Sequence, residues 1–120
     1  MNNQEFGKSL EFRTKLFAVN IIKLSASLKF SKEIDVIKYQ LAKSGTSIGA
    51  NYREANRARS KADFYNKVKI CESEANETIF WLEIISELKI LDLCAVDPLI
   101  REANELLAIF TSIGYTLKSR

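Results

Sequence analysis

Phe64, Val68, Cys71, Ala75, Thr78, Leu82 and Ile85 follow one another in alternating steps of four and three residues. That rhythm holds one set of side chains on a single helix face for about six turns. A strand cannot do this, because its side chains change face at every residue. The chain must therefore contain a long helix with an apolar seam, and the seam needs other helices to cover it. Little in the sequence interrupts helix, since one proline and four glycines are spread over 120 residues.

Three more segments carry helical spacing. Leu10, Phe17, Ile21, Leu24 and Leu28 predict a first helix over Ser9–Leu28. Ser31 is a good N-cap for a second over Lys32–Ala58, on which Ile34, Leu41, Ile48 and Ala55 fall seven apart, with Ile37 and Tyr52 beside them. Ser60, with Asp63 three residues on, opens the third as a capping box with the shorter acid. Asp97-Pro98 reads as the start of the fourth, continued by Ile100, Ala103, Leu107, Phe110, Gly114 and Leu117. No segment sustains the period-two alternation of a strand. Short connections favour an all-α, antiparallel up-down-up-down four-helix bundle, with residues 1–120 as one domain.

Composition narrows the function. Apolar residues make up 47% and charged residues 28%, which describes a folded domain and not a disordered one. No apolar run approaches the ~18 residues of a membrane span, and MNNQEFGKSLEF lacks a secretory h-region. Cys71 and Cys94 have no framework spacing, so a cytoplasmic setting is expected. There is no histidine, the commonest general base and metal ligand. A carboxylate-bridged metal pair in a helical bundle draws on Glu-x-x-His motifs, so neither a metal nor a cofactor is expected. Walker, GxSxG and GxGxxG motifs are absent. Cys71 lies in the apolar seam and reads as a small core residue. The expectation is a protein that is not an enzyme. A lone glutamate acting as general acid or base would need an enclosed pocket and a partner.

The charge is +3 overall but unevenly placed. Residues 1–70 hold 14 Lys+Arg against 6 Asp+Glu, and residues 71–120 hold 4 against 9. The two portions thus carry +8 and −5. Such a chain suits nucleic-acid binding, and it equally suits head-to-tail association of copies.

Three constellations stand out. Ala42, Gly45 and Gly49 share a helix face, although each glycine costs a helix roughly 1 kcal/mol against alanine. A stripe without side chains lets another helix come close, first within the chain and second between copies. A second seam on the third helix runs Ile70, Glu74, Glu77, Trp81, Ile84, Leu88. Glu74 and Glu77 stand in line with large apolar residues, so they need partners, with Asn51, Arg53, Glu54 and Arg57 as candidates. Arg53, Arg57, Arg59 and Lys61, with Lys67 and Lys69 beyond, crowd the second turn. They are either a solvated face or phosphate contacts, and Tyr52 and Tyr65 lie near enough in sequence to stack on bases.

Two longer blocks carry a resemblance. KSGTSIGANYREANRARSKADF over residues 43–64 and EANETIFWLEI over residues 74–84 resemble the signature of the 23S rRNA intervening sequence proteins. Arg53-Glu54-Ala55 places the chain in the branch that has REA at this point. The resemblance implies a left-handed antiparallel four-helix bundle assembled as a ring, a homopentamer, with no catalytic activity. It implies genes lying inside bacterial 23S rRNA genes or standing free. A similar bundle that serves retroelements binds nucleic acid and a protein partner. Asn51, Glu54, Glu74 and Glu77 match the family's polar positions. They are expected to form a buried polar network joining the second and third helices and reaching the next subunit. Arg53, Arg57, Arg59 and Lys61 are expected to meet RNA or DNA, and a protein-interaction scaffold is the alternative.

Overall fold

The computed structural model describes residues 2–118. Four helices form a compact all-α bundle: α1 Asn3–Ser27, α2 Lys32–Ala55, α3 Lys61–Leu88 and α4 Leu93–Lys118. Each packs on its neighbours in sequence, and α4 also returns to α1. The molecule measures 46 × 26 × 21 Å, a length set by helices of 24–28 residues rising about 1.5 Å per residue. No helix among the described residues is long and apolar enough to cross a membrane.

The caps follow from local chemistry. Ser31 accepts from the Ile34 amide at 3.0 Å, and Ser60 from the Asp63 amide at 3.0 Å. Each satisfies an amide that its helix leaves without a partner. Asn2 does the same for Glu5 at 2.8 Å. Helix α1 therefore starts six residues before the expected Ser9, because Asn2 caps a polar first turn that apolar spacing does not reveal. Helix α2 stops at Ala55 and not Ala58, where the chain tightens through Arg57 N–H to Glu54 and Ala58 N–H to Ala55 carbonyl bonds. Helix α4 starts at Leu93, with Asp92 Oδ1 accepting from the Cys94 amide at 2.9 Å. Pro98 thus sits inside the helix and not at its first position. It falls in the second turn, where the missing N–H costs one hydrogen bond.

The seam of α3 is the spine of the core. Val68, Cys71, Ala75, Thr78, Leu82 and Ile85 are fully buried, and Phe64 at its start is half-buried. Phe17 and Ile21 of α1, Leu41 and Ile48 of α2, and Leu106 and Phe110 of α4 close around it. Burying each such side chain is worth about 1.5–3 kcal/mol. On α4 the inward face runs through Val96, Ala103, Leu106, Phe110 and Gly114. Leu107, expected there, is half-buried at its edge.

The small-residue stripe packs inside the chain. A Cβ at Gly45 would stand 2.7 Å from Ile21 Cγ2, and one at Gly49 would stand 3.3 Å from the Thr14 carbonyl carbon. The glycines are where α1 and α2 touch, and the close approach offsets their cost to the helix. Helices α2 and α3 join through buried polar groups. Thr78 Oγ1 lies 3.0 Å from Ser44 Oγ, and Cys71 Sγ lies 3.5 Å from the Ile48 carbonyl. Arg13 holds α1 to α4, its guanidinium donating to Glu102 at 2.6 and 2.7 Å and to Glu105 at 2.6 Å.

Candidate nucleic-acid interface

The four candidate cations fall where α2 ends and α3 begins. Arg53 lies in the last turn of α2, Arg57 and Arg59 in the connection, and Lys61 is the first residue of α3. All four are exposed. Arg57 stands beyond the helix, which was expected to run to Ala58, yet its Nη1 reaches back to the Arg53 carbonyl at 3.5 Å. The start of α1 and the end of α4 meet this region around a groove of about 410 Å³, lined among others by Phe6, Tyr52, Asn56, Phe64 and Leu117.

Local anions do little to neutralise the cluster. Arg53 Nε stands 3.8 Å from Glu11 Oε1, with over half of its side chain exposed. Water screens such a pair to a few tenths of a kcal/mol. Glu11 is held by Asn56 Nδ2, which donates to Oε2 at 2.8 Å. Among the described residues Arg57, Arg59 and Lys61 form no ion pair. Lys69 does, at 2.7 Å from Glu72, which raises the lysine pKa, lowers that of Glu72 and takes this residue out of the free set.

The two tyrosines part company. Tyr52 is 2% exposed and packs its ring on Phe110, with centroids 5.5 Å apart. Burial pushes its phenol pKa up, and a hydrogen bond with Asn56 opposes the shift. Tyr52 is a core residue and no base can stack on it. Tyr65 is half-buried and lines a second groove, of about 430 Å³, between Lys61 and Lys118.

The polar network is not closed within one chain. Asn51 is half-buried and donates to the Ser47 carbonyl of its own helix at 2.8 Å. Glu54 is exposed, beside a shallow groove between α1 and α2. Glu77 is exposed and accepts from Trp81 Nε1 at 3.4 Å. Glu74 is half-buried on α3. Burial raises its pKa, the charge of Glu77 raises it further, and Lys43 and Ser47 pull it back. Glu74 sits at the rim of the α2–α3 seam, beside Lys43 and Ser47 of α2, and Glu54 and Glu77 lie outside it. The seam's interior is taken by Ser44, Ile48, Cys71 and Thr78. The inner position went to small hydroxyl and thiol groups because a carboxylate there would lose its water.

Cys71 is fully buried, and burial pushes its thiol pKa up to about 12, so it stays protonated and unreactive. Among the described residues no three of His, Cys, Asp and Glu gather as a metal cradle would require. The Arg13–Glu102–Glu105 cluster escaped sequence reading because its members lie 89 and 92 residues apart.

Fold and site together define a small all-α four-helix protein with a cationic end. The sequence profile of the 23S rRNA-intervening sequence proteins matches residues 12–112, and the chain belongs to that family. The crystal structure of a protein of unknown function from the S23 ribosomal protein family of Bacteroides thetaiotaomicron is similar to it. The two share 35% identity, with a TM-score of 0.83 over 91% of this chain and 97% of that one. No functionally curated protein matches the chain.

Proposed function

We propose that this protein is a non-enzymatic, cytoplasmic accessory protein that binds RNA or DNA through Arg53, Arg57, Arg59 and Lys61. It acts as an antiparallel up-down-up-down bundle assembled into a ring, a homopentamer. The observation that carries the reading is the cationic end itself, where three exposed basic side chains lack an ion-pair partner among the described residues. Unpaired cations gain most from phosphate, because contact releases the counterions condensed on the nucleic acid.

Assembly draws support from α1. Phe12, Leu16, Val19 and Ile22 are exposed at helical spacing on its outer face, a stripe that one chain leaves wet. In the assembly Asn51, Glu54, Glu74 and Glu77 form polar contacts between copies, which fix register more than they add stability.

The test is binding of RNA and of duplex DNA across a salt series, beside the combined Arg53→Ala, Arg57→Ala, Arg59→Ala and Lys61→Ala variant. Wild-type affinity should fall steeply with salt. The variant should bind much more weakly while keeping its assembly, and the salt slope of its residual binding should drop by roughly 0.7–0.9 per phosphate contact removed. Absence of binding at low salt would refute the nucleic-acid role. A second reading, a protein scaffold, would then stand on the exposed Phe30 in the connection between α1 and α2 and the exposed Val36 and Tyr39 in the first turns of α2.

A further inference from the structure

The cationic end holds a groove that shares only Lys61 with the four candidate cations. It runs between the start of α3 and the end of α4 and is lined by Lys61, Ala62, Tyr65, Asn66, Leu117 and Lys118. Its volume is about 430 Å³, inside the ~300–1,000 Å³ range of small-ligand sites. The walls are more apolar than polar, from Tyr65, Ala62, Leu117 and the lysine stems. Neither Lys61 nor Lys118 pairs with a carboxylate among the described residues. Asn66 is exposed and brings an amide that both donates and accepts. A smaller groove through Arg59, Ser60, Lys61 and Leu117 joins it to the connection between α2 and α3.

One ring, two flanking ammonium groups and one amide along an apolar trough match a particular ligand. We infer that the groove takes an unpaired nucleobase, stacked on Tyr65, with the adjoining phosphates on Lys61 and Lys118. The ligand is therefore a single strand and not a duplex. A paired base is stacked on its neighbours and cannot enter a trough, whereas a single strand offers a free π-face at every nucleotide. Charge complementarity favours nucleic acid over an apolar peptide, because the trough has cations on both rims. The inference rests on the nucleic-acid reading above and narrows it to one strand form.

The test uses fluorescence anisotropy with labelled oligonucleotides of equal length: single-stranded RNA, single-stranded DNA, duplex DNA, and a single strand with abasic sites. The abasic strand keeps every phosphate and removes the stacking partner. The full-length protein should bind the single strands about thirtyfold more tightly than the abasic strand, near the middle of what one stacked base contributes. Tyr65→Ala should erase that difference, and Tyr65→Phe should preserve it. Duplex DNA should bind more weakly than the single strands, and duplex binding as tight as theirs would overturn the inference. Equal affinity for normal and abasic strands, or an unchanged Tyr65→Ala variant, would overturn it while leaving the phosphate reading intact. Binding to none of the four would overturn both.

Discussion

A methyl group added at Gly45 would sit 2.7 Å from Ile21 Cγ2 and 3.1 Å from Ile21 Cβ. Ile21 is fully buried and branched at Cβ, so its side chain is stiff and closely packed. The gain in helix propensity, about 1 kcal/mol, is outweighed by overpacking that costs about 1–3 kcal/mol. Gly114 differs, although it too is buried within a helix. A Cβ there meets only Lys69 Cδ at 3.4 Å, the flexible stem of an exposed side chain. Gly45→Ala should therefore lower the thermal midpoint by several degrees and Gly114→Ala should raise it. Melting both variants by circular dichroism checks the pair, and stabilisation by Gly45→Ala would show that α1 and α2 do not touch there. At this scale the sequence was informative about kind and silent about neighbour. It marked Gly45 and Gly49 as a close-approach stripe. It could not show that Ile21 and Thr14 fill the space, because the contact crosses from one helix to another. Tyr52 and Tyr65 looked alike for the same reason, and only packing against Phe110 removes Tyr52 from the surface.

Two carboxylates on different helices should give opposite responses to acid. Glu102 of α4 accepts from Arg13 of α1, and that hydrogen bond holds its pKa below the ordinary value. Its contribution to stability is present above the unfolded carboxylate pKa of about 4.3, and is lost as pH falls through the lower folded value. Glu74 of α3 is raised, first by burial. Its penalty is fully present at neutral pH and vanishes below the unfolded value. Glu102→Gln should destabilise at pH 7 and flatten the loss of stability in acid. Glu74→Gln should stabilise at pH 7, with the gain disappearing below about pH 4. Both groups are partly solvated, so each effect is modest. Denaturant unfolding at neutral and acidic pH measures both, and equal shifts at the two values would contradict the assignment. The helices themselves were legible from a three-four rhythm and from Ser31 and Ser60 as caps. Their ends were less so, since the first turns of α1 and α4 are set by Asn2 and Asp92 and not by apolar residues. The Arg13 cluster, which ties first helix to last, has no local signature at all.

At the scale of the whole molecule, charge and apolar surface point to the same consequence. The chain carries +8 over residues 1–70 and −5 over residues 71–120. Phe12, Leu16, Val19 and Ile22 form an outer stripe on α1, Phe12 being 69% exposed. Copies that meet with this stripe against a more acidic face gain from both terms, but the two respond differently to salt. At about 0.5 M the Debye length falls to a few ångströms, which screens the charges and leaves apolar burial in place. Native mass spectrometry or sedimentation should therefore find an assembly that survives added salt. Leu16→Asp should dissociate it, since a carboxylate in a dry interface costs several kcal/mol. The same change should barely affect the fold of one chain, because half of that side chain is already in water. A monomer at every concentration would refute the assembly, and dissociation by salt alone would mean that charge and not the stripe holds it. The number of copies is a further property that periodicity cannot encode. Ring closure depends on the angle between two patches of one surface, and that angle is fixed only when all four helices are in place.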